Sequence, residues 1–274
     1  MTSILFLLAA CNKNETEAVP DTKEMTQLNV AYGTDPRQKM DLYLPEGRSQ
    51  DTTRVLILIH GGAWVDGDKA DFNQYVTLLR QQFPHYAIFN INYRLASGGN
   101  NLFPAQENDV ESAVNFIYDH RDEYKVSSNF AYIGASAGAH LALLQGYKHL
   151  SVVKPTAIVD LFGPTDLKTL YSSSPVASIL IGQLLGGTPA TNASAYDQSS
   201  PLFFAGAESA PTLILQGGFD DVVPPSQSEK LRDKLKTAGV ATEYVFYPVE
   251  GHGWTGATLN DTLLKIAAFL RAHP

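Results

Sequence analysis

Cysteine is almost absent from this chain: among 274 residues there is one, Cys11. A single thiol excludes an intramolecular disulfide and a cysteine-based zinc site. Basic clusters are missing too. Lys and Arg total 20 against 28 Asp and Glu, the net charge is −8, and no stretch gathers its cations. Nucleic acids and anionic membrane surfaces recruit basic faces, so neither is expected as a partner. Beyond the N-terminus, no segment approaches the ~20 consecutive apolar residues of a membrane span. Core-forming material, by contrast, is present in ordinary amounts, with 44% hydrophobic and 10% aromatic residues. At this length it suits one large α/β domain better than two small ones.

The position of the single cysteine is informative. Ile4 to Ala10 is a short apolar run, and Leu8-Ala9-Ala10-Cys11 ends it with small residues. This resembles the lipobox of bacterial lipoproteins, in which the cysteine is lipidated and becomes the first mature residue. Asn12 to Thr26 is polar and lacks apolar periodicity, as in a flexible tether. The expected organisation is a lipoprotein signal and tether over 1–27 and a catalytic domain over 28–274. The implied location is outside the cytoplasm of a bacterium, with membrane contact only through a lipid anchor on Cys11.

Strand and helix patterns then alternate. Leu28–Tyr32 and Lys39–Leu44, separated by Gly33-Thr34-Asp35-Pro36, predict an antiparallel hairpin. Arg54–Ile59 is a continuous apolar run, as expected of a strand covered on both faces. Further strands are predicted at Tyr86–Asn92, Phe130–Ile133, Ala157–Phe162, Thr212–Gln216 and Thr242–Tyr247. Helices are predicted at about 71–83, from Pro104, after Ser136, at 226–238 and at 257–272. Residues 167–204 break into short apolar pieces, read as an insertion of small helices and loops over the strand ends. Eight strand signals with interspersed helices predict a mostly parallel sheet with an antiparallel start. Ligands of such sheets gather at the carboxyl ends of the strands.

Gly134-Ala135-Ser136-Ala137-Gly138 sits between a strand and a helix, where a G-x-S-x-G turn exposes its serine as a nucleophile. The pentapeptide arises by chance in about one chain in ten of this size, so its surroundings decide. A serine at its ordinary pKa needs a base, and the base needs an orienting acid. In such folds the order along the chain is Ser, then Asp or Glu, then His. His252, in Gly251-His252-Gly253, follows the last strand; His120, His149 and His273 fall on helices or at the chain end, where solvent exposure is expected. His140 lies one turn beyond Ser136 and is expected to be carried away from the mouth. Asp220 is read as the acid, with its neighbour Asp221 and the helix-cap candidate Asp166 as alternatives. His60-Gly61-Gly62-Ala63-Trp64 follows the third strand, so the amides of Gly62, Ala63 and Ala137 are candidate oxyanion donors. Trp64, Phe219 and Trp254 flank these loops and are candidates to line an aromatic or acyl pocket.

Five motifs in order therefore stand together: His60–Trp64, Asn92-Tyr93-Arg94-Leu95, Phe103-Pro104-Ala105-Gln106, Gly134–Gly138 and Asp220-Asp221-Val222-Val223-Pro224. They resemble α/β-hydrolases of the hormone-sensitive-lipase-like carboxylesterase group, near its bacterial feruloyl/acetylxylan esterase and kynurenine formamidase-like branch. The resemblance runs from about Val30 to the C-terminus. It departs at Ala63, where many relatives carry a third glycine, a change that removes no backbone donor. It implies the α/β-hydrolase fold and an acyl-enzyme route acting on short-chain, aromatic or carbohydrate-linked esters. It also implies a small-molecule ester as partner, no cofactor and no metal, with the 167–204 insertion selecting the substrate. The rivals are an arylformamidase or other amide hydrolase on the same triad, and an inactive binding protein on the same fold.

Overall fold

The strand Arg54–Ile59 shows how this chain builds two cores at once. Val55, Ile57 and Ile59 enter one apolar cluster, whereas Leu56 and Leu58 enter the other. Side chains alternate along a strand, so a run with no polar residue needs cover on both faces. Burying each such side chain contributes about 2 kcal/mol. A computed structural model describes residues 22–149 and 152–274. Cys11 and the N-terminal apolar run lie outside the described residues.

The strands are β1 (Met25–Ala31), β2 (Lys39–Leu44), β3 (Arg54–Ile59), β4 (Tyr86–Ile91), β5 (Phe130–Ala135), β6 (Ala157–Leu161), β7 (Thr212–Gly217) and β8 (Thr242–Tyr247). They form one sheet in the order β1-β2-β4-β3-β5-β6-β7-β8. The pairs β1–β2 and β2–β4 are antiparallel, and every other pair is parallel. This is the mostly parallel eight-stranded α/β-hydrolase sheet expected from the sequence. β1 begins at Met25, ahead of the expected domain start at residue 28. The reason is pairing: Met25, Thr26 and Gln27 face Leu44, Tyr43 and Leu42 on β2.

Helices cover both faces. α1 (Asn73–Gln82) and α10 (Gly256–Ala272) bury Val76, Leu79, Leu263 and Ile266 in the Leu56/Leu58 cluster. On the other face lie α2 (Ala105–Asp119), α4 (Ala137–Lys148) and α9 (Ser226–Thr237), which bury Val110, Leu141 and Leu231 with Val55 and Ile57. A short α3 (Arg121–Tyr124) follows α2. The expected insertion between β6 and β7 folds into α5 (Leu167–Tyr171), α6 (Pro175–Leu185), α7 (Ala193–Gln198) and α8 (Pro201–Phe204). Its boundaries are written locally. The Asp166 carboxylate accepts from the Thr169 amide to cap α5, Ser174 caps α6 ahead of Pro175, and Gly186 ends α6 at φ 68°. Asp166 is thus a helix cap.

Parallel register levels the strand ends. Ile59 pairs with Gly134, Gly134 with Asp160, and Gly217 with Tyr247. The loops after β3, β5, β6, β7 and β8 consequently rise from one edge of the sheet.

Candidate active site

Ser136 occupies the turn from β5 into α4 with φ 53° and ψ −120°. This region is sparsely populated by residues other than glycine and stores strain of order 1–3 kcal/mol. The turn closes so tightly that neither flanking glycine tolerates a Cβ. One built on Gly134 would stand 2.3 Å from the Gly138 carbonyl oxygen, and one on Gly138 would stand 2.0 Å from that of Ile59. The Ser136 amide donates to the Leu161 carbonyl at 2.9 Å, which ties the turn to the neighbouring strand.

Three loops converge on this serine. The Ser136 hydroxyl donates to His252 Nε2 at 2.9 Å, and His252 Nδ1–H donates to Asp220 Oδ2 at 2.8 Å. The carboxylate of Asp220 is fully buried, while the imidazole of His252 keeps 20% exposure. Asp220 Oδ1 accepts from the amides of Val222 and Val223, and Oδ2 also accepts from Gln216 Nε2. Those donors fix its orientation. Asp221 is exposed, lines the cavity beside Ser136 and makes no hydrogen bond to the imidazole among the described residues. The geometry therefore separates the two adjacent acids.

The loop after β3 carries three consecutive positive φ angles, 105° at Gly62, 50° at Ala63 and 63° at Trp64. Among the described residues, the Gly62 and Ala63 amides donate to no backbone carbonyl. Ala137 is the first residue of α4, where the helix leaves its N–H unpaired. The Tyr93 hydroxyl holds the loop from below, donating to the His60 and Gly61 carbonyls at 2.9 and 3.1 Å. Its ring stacks on His60 with centroids 4.3 Å apart. Burial lowers the pKa of His60 to about 4, so this ring is a neutral spacer. Tyr93 is itself framed by Asn92, which bonds Asp68, and by Arg94, which pairs with the buried Asp109.

Trp64 was expected to line a pocket. It is 3% exposed, forms part of a cavity beside Ser136, and donates from Nε1 to His140 Nδ1 at 3.1 Å. His140 Nε2–H donates in turn to the Ser199 carbonyl at 2.6 Å. His140 is fully buried, and burial lowers its pKa to about 4. The ring is buried in the fold, where it joins α4, the loop after β3 and the insertion. Trp254 lines a second cavity and donates to Thr262. Phe219 is corrected by the structure: it is 72% exposed and lines neither cavity, because its loop turns the ring to solvent. His149 is corrected too, bonding Glu107 and Glu111 where solvent was expected.

Two residues near the serine carried no signal in the sequence. Phe162 follows β6 at φ 48° and sets its ring edge-on to His252 at 4.7 Å and to Trp254 at 5.3 Å. Asp160, buried beside Gly134, accepts from the Gly163 amide through Oδ1. Its Oδ2 finds no partner among the described residues. Burial pushes its pKa up to about 7. Among the described residues, no group of His, Cys, Asp and Glu is arranged to hold a metal ion, and no helix is long and apolar enough to cross a membrane.

An eight-stranded sheet of this order, with a strained serine after β5 facing a histidine after β8, defines the chain as an α/β-hydrolase. More narrowly, it belongs to the BD-FAE family, whose model matches residues 40–235. Esterase LipC of Mycobacterium tuberculosis is 27% identical over 88% of this chain and 64% of its own length. Dipeptidyl aminopeptidase BIII of Pseudoxanthomonas mexicana is 27% identical over 76% of this chain and 31% of its own. Among solved structures, the bifunctional GH43-CE of Bacteroides eggerthii superposes with a TM-score of 0.76 at 27% identity, covering 89% of this chain and 38% of that one. The chain thus spans about a third to two thirds of the length of these relatives.

Proposed function

We propose that this protein is a serine carboxylester hydrolase. The observation that carries the reading is the hydrogen-bonded line from Ser136 Oγ through His252 to Asp220, at 2.9 and 2.8 Å. Oγ attacks the ester carbonyl while Nε2 takes its proton. Asp220 holds the imidazole in the required tautomer and stabilises the resulting imidazolium. The negative charge gathers on the former carbonyl oxygen, where the amides of Gly62, Ala63 and Ala137 donate to it. Collapse of the tetrahedral intermediate breaks the bond to the alcohol oxygen, which receives the proton from Nε2. Water, deprotonated by the same nitrogen, then releases the acid from Ser136. Esterase relatives such as LipC support this reading.

The cavity beside Ser136, about 340 Å³, is walled by Trp64 and by Leu170, Val176 and Ile181 of the insertion. We assign it to the acyl group, which makes short-chain and aromatic acyl esters, including carbohydrate-linked ones, the substrate class. Turnover of p-nitrophenyl acetate and butyrate by the wild type, reduced about 10⁴-fold or more in Ser136→Ala, is the expected result. Retained activity in that variant would overturn the mechanism. Binding of esters without turnover by the wild type would favour the inactive binding protein.

Amide hydrolysis is the second reading, favoured by the dipeptidyl aminopeptidase relative. Comparing p-nitrophenyl esters with p-nitroanilides and N-formylkynurenine separates the two. For Cys11 we propose lipidation, tested by palmitate labelling in a bacterial host that disappears in Cys11→Ala.

A further inference from the structure

The cavity beside Ser136 has a buried floor and an open rim. Trp64, Leu170, Ile181 and Val223 are buried and apolar, whereas the exposed lining residues are Val176, Asp221 and Val222. Asp221 is the one ionisable residue in the lining. Its neighbour Asp220 accepts from Gln216, Val222, Val223 and His252. The Asp221 carboxylate, by contrast, has no hydrogen-bond or ion-pair partner among the described residues. An unpaired negative charge therefore stands on the wall of the cavity that also holds the nucleophile.

We propose that Asp221 selects the acyl group by charge, favouring acyl chains that end in an alkylated ammonium and rejecting anionic ones. The inference rests on the reading of Ser136 as the acylated nucleophile and of this cavity as the acyl site. With the acyl carbon at Ser136, an aliphatic stem covers the apolar floor and its far end meets the rim. A cation there gains the carboxylate as counter-charge. An anion meets like charge, and the lining holds no Lys or Arg to offset it. Val176 and Val222 share the rim, which suits a head whose charge is clothed in methyl groups. A bare ammonium binds water more strongly and gains less from such neighbours. Water and salt reach the rim, so the selection is moderate, about five-fold, as for an exposed ion pair.

The test compares kcat/KM for three p-nitrophenyl esters: 4-(trimethylammonio)butanoate, its neutral isostere 5,5-dimethylhexanoate, and 4-sulfobutanoate. None of these heads attacks its own ester, and dividing each value by the hydroxide-catalysed rate removes the inductive effect of the charge. The wild type is expected to favour the cation over the isostere about five-fold, and the isostere over the sulfonate by a similar factor. High salt should shrink both ratios. Asp221→Asn is expected to bring both near one, and Asp221→Lys to reverse their order. No wild-type preference for the cation, or a preference that survives in Asp221→Asn, would overturn the assignment. So would an equal fall in Glu208→Gln, which changes net charge by the same amount at an exposed residue outside the lining. Acetylcholine against 3,3-dimethylbutyl acetate places the charge on the alcohol half instead. If Asp221→Asn moves that pair as much as the acyl pair, the carboxylate does not read the acyl group. Ser136→Ala keeps the two readings distinct. If it abolishes turnover of p-nitrophenyl acetate while the wild type shows no charge preference, the mechanism stands and the selection by Asp221 fails. If Ser136→Ala is active, the mechanism itself fails.

Discussion

His252, bonded to Ser136, and His140, one turn beyond it on α4, occupy opposite kinds of environment. His252 rides on a loop after β8, partly open to solvent, with a buried carboxylate on one nitrogen and a hydroxyl on the other. His140 sits on α4, one turn past Ser136, with an indole N–H on one nitrogen and a backbone carbonyl on the other. Both rings have their nitrogens fully engaged. What separates a base from a strut is the charge of the partner and access to the substrate. A carboxylate beside Nδ1 is the partner the proposed proton relay requires, whereas burial keeps the His140 ring neutral.

The largest effect expected from breaking this contrast is at His252. His252→Ala is expected to lower kcat on p-nitrophenyl acetate by about 10⁴-fold or more. Asp220→Asn is expected to fall about 10³–10⁴-fold through the wrong tautomer, while Asp221→Asn changes kcat only a few-fold. Equal losses in the two Asn variants would show that the hydrogen bonds of Asp220 do not define the acid.

A smaller effect is expected at His140. His140→Leu strands the Trp64 indole N–H and the Ser199 carbonyl, at roughly 1–3 kcal/mol for each buried group left unpaired. KM for butyrate esters should rise more than kcat falls, because Trp64 walls the cavity assigned to the acyl group. His140→Asn offers one acceptor and one donor, and recovery of KM in that variant checks that the hydrogen bonds, rather than the ring volume, matter.

The smallest effects are in the dependence of stability on pH. His140 keeps a pKa of about 4, against an ordinary 6.5, so the unfolded chain binds a proton that the folded one refuses between those values. Stability is then lost as pH falls from about 6.5 to about 4. Asp160, held near 7 by burial, acts in the opposite sense. The folded chain keeps its proton where the unfolded chain has released it, so its contribution falls as pH rises from about 4 to about 7. Denaturant titrations should show a flatter acid limb in His140→Asn. They should also show Asp160→Asn gaining on the order of 1–2 kcal/mol at pH 8 relative to pH 4.

The frame of this site was legible because its residues sit at pattern boundaries. Ser136, Gly62 and His252 each follow an apolar strand run and lie in glycine-rich turns, and parallel register forces such turns to one edge. Residues that work through packing were harder to read. His140 shares an apolar helix segment with Ala139 and Leu141, and periodicity tells that a face is buried without telling which atom it meets. The choice between Asp220 and Asp221 depends on which carboxylate meets His252, 32 residues away, and Gln216, contacts with no sequence signature. Phe219 misled for a related reason: an aromatic residue in a loop carries no period to say where its ring points. Asp160 and Phe162 read simply as the end of a strand, and only the backbone angle of Phe162 and the Asp160 oxygen that no described residue pairs mark them.

The distance along the chain between Ser136 and His252 also governs when the site comes into being. The serine turn and the oxyanion loop depend on β3 and β5, near the middle of the sheet, whereas the base arrives with β8 at its far edge. Contacts spanning 116 residues are among the last that a folding chain closes. During synthesis, an intermediate that has not yet gained β8, the His252 loop and α10 would hold a strained serine with no proton acceptor. Under the proposed mechanism, ester turnover would be a late report on folding, since it requires the outermost strand to have docked.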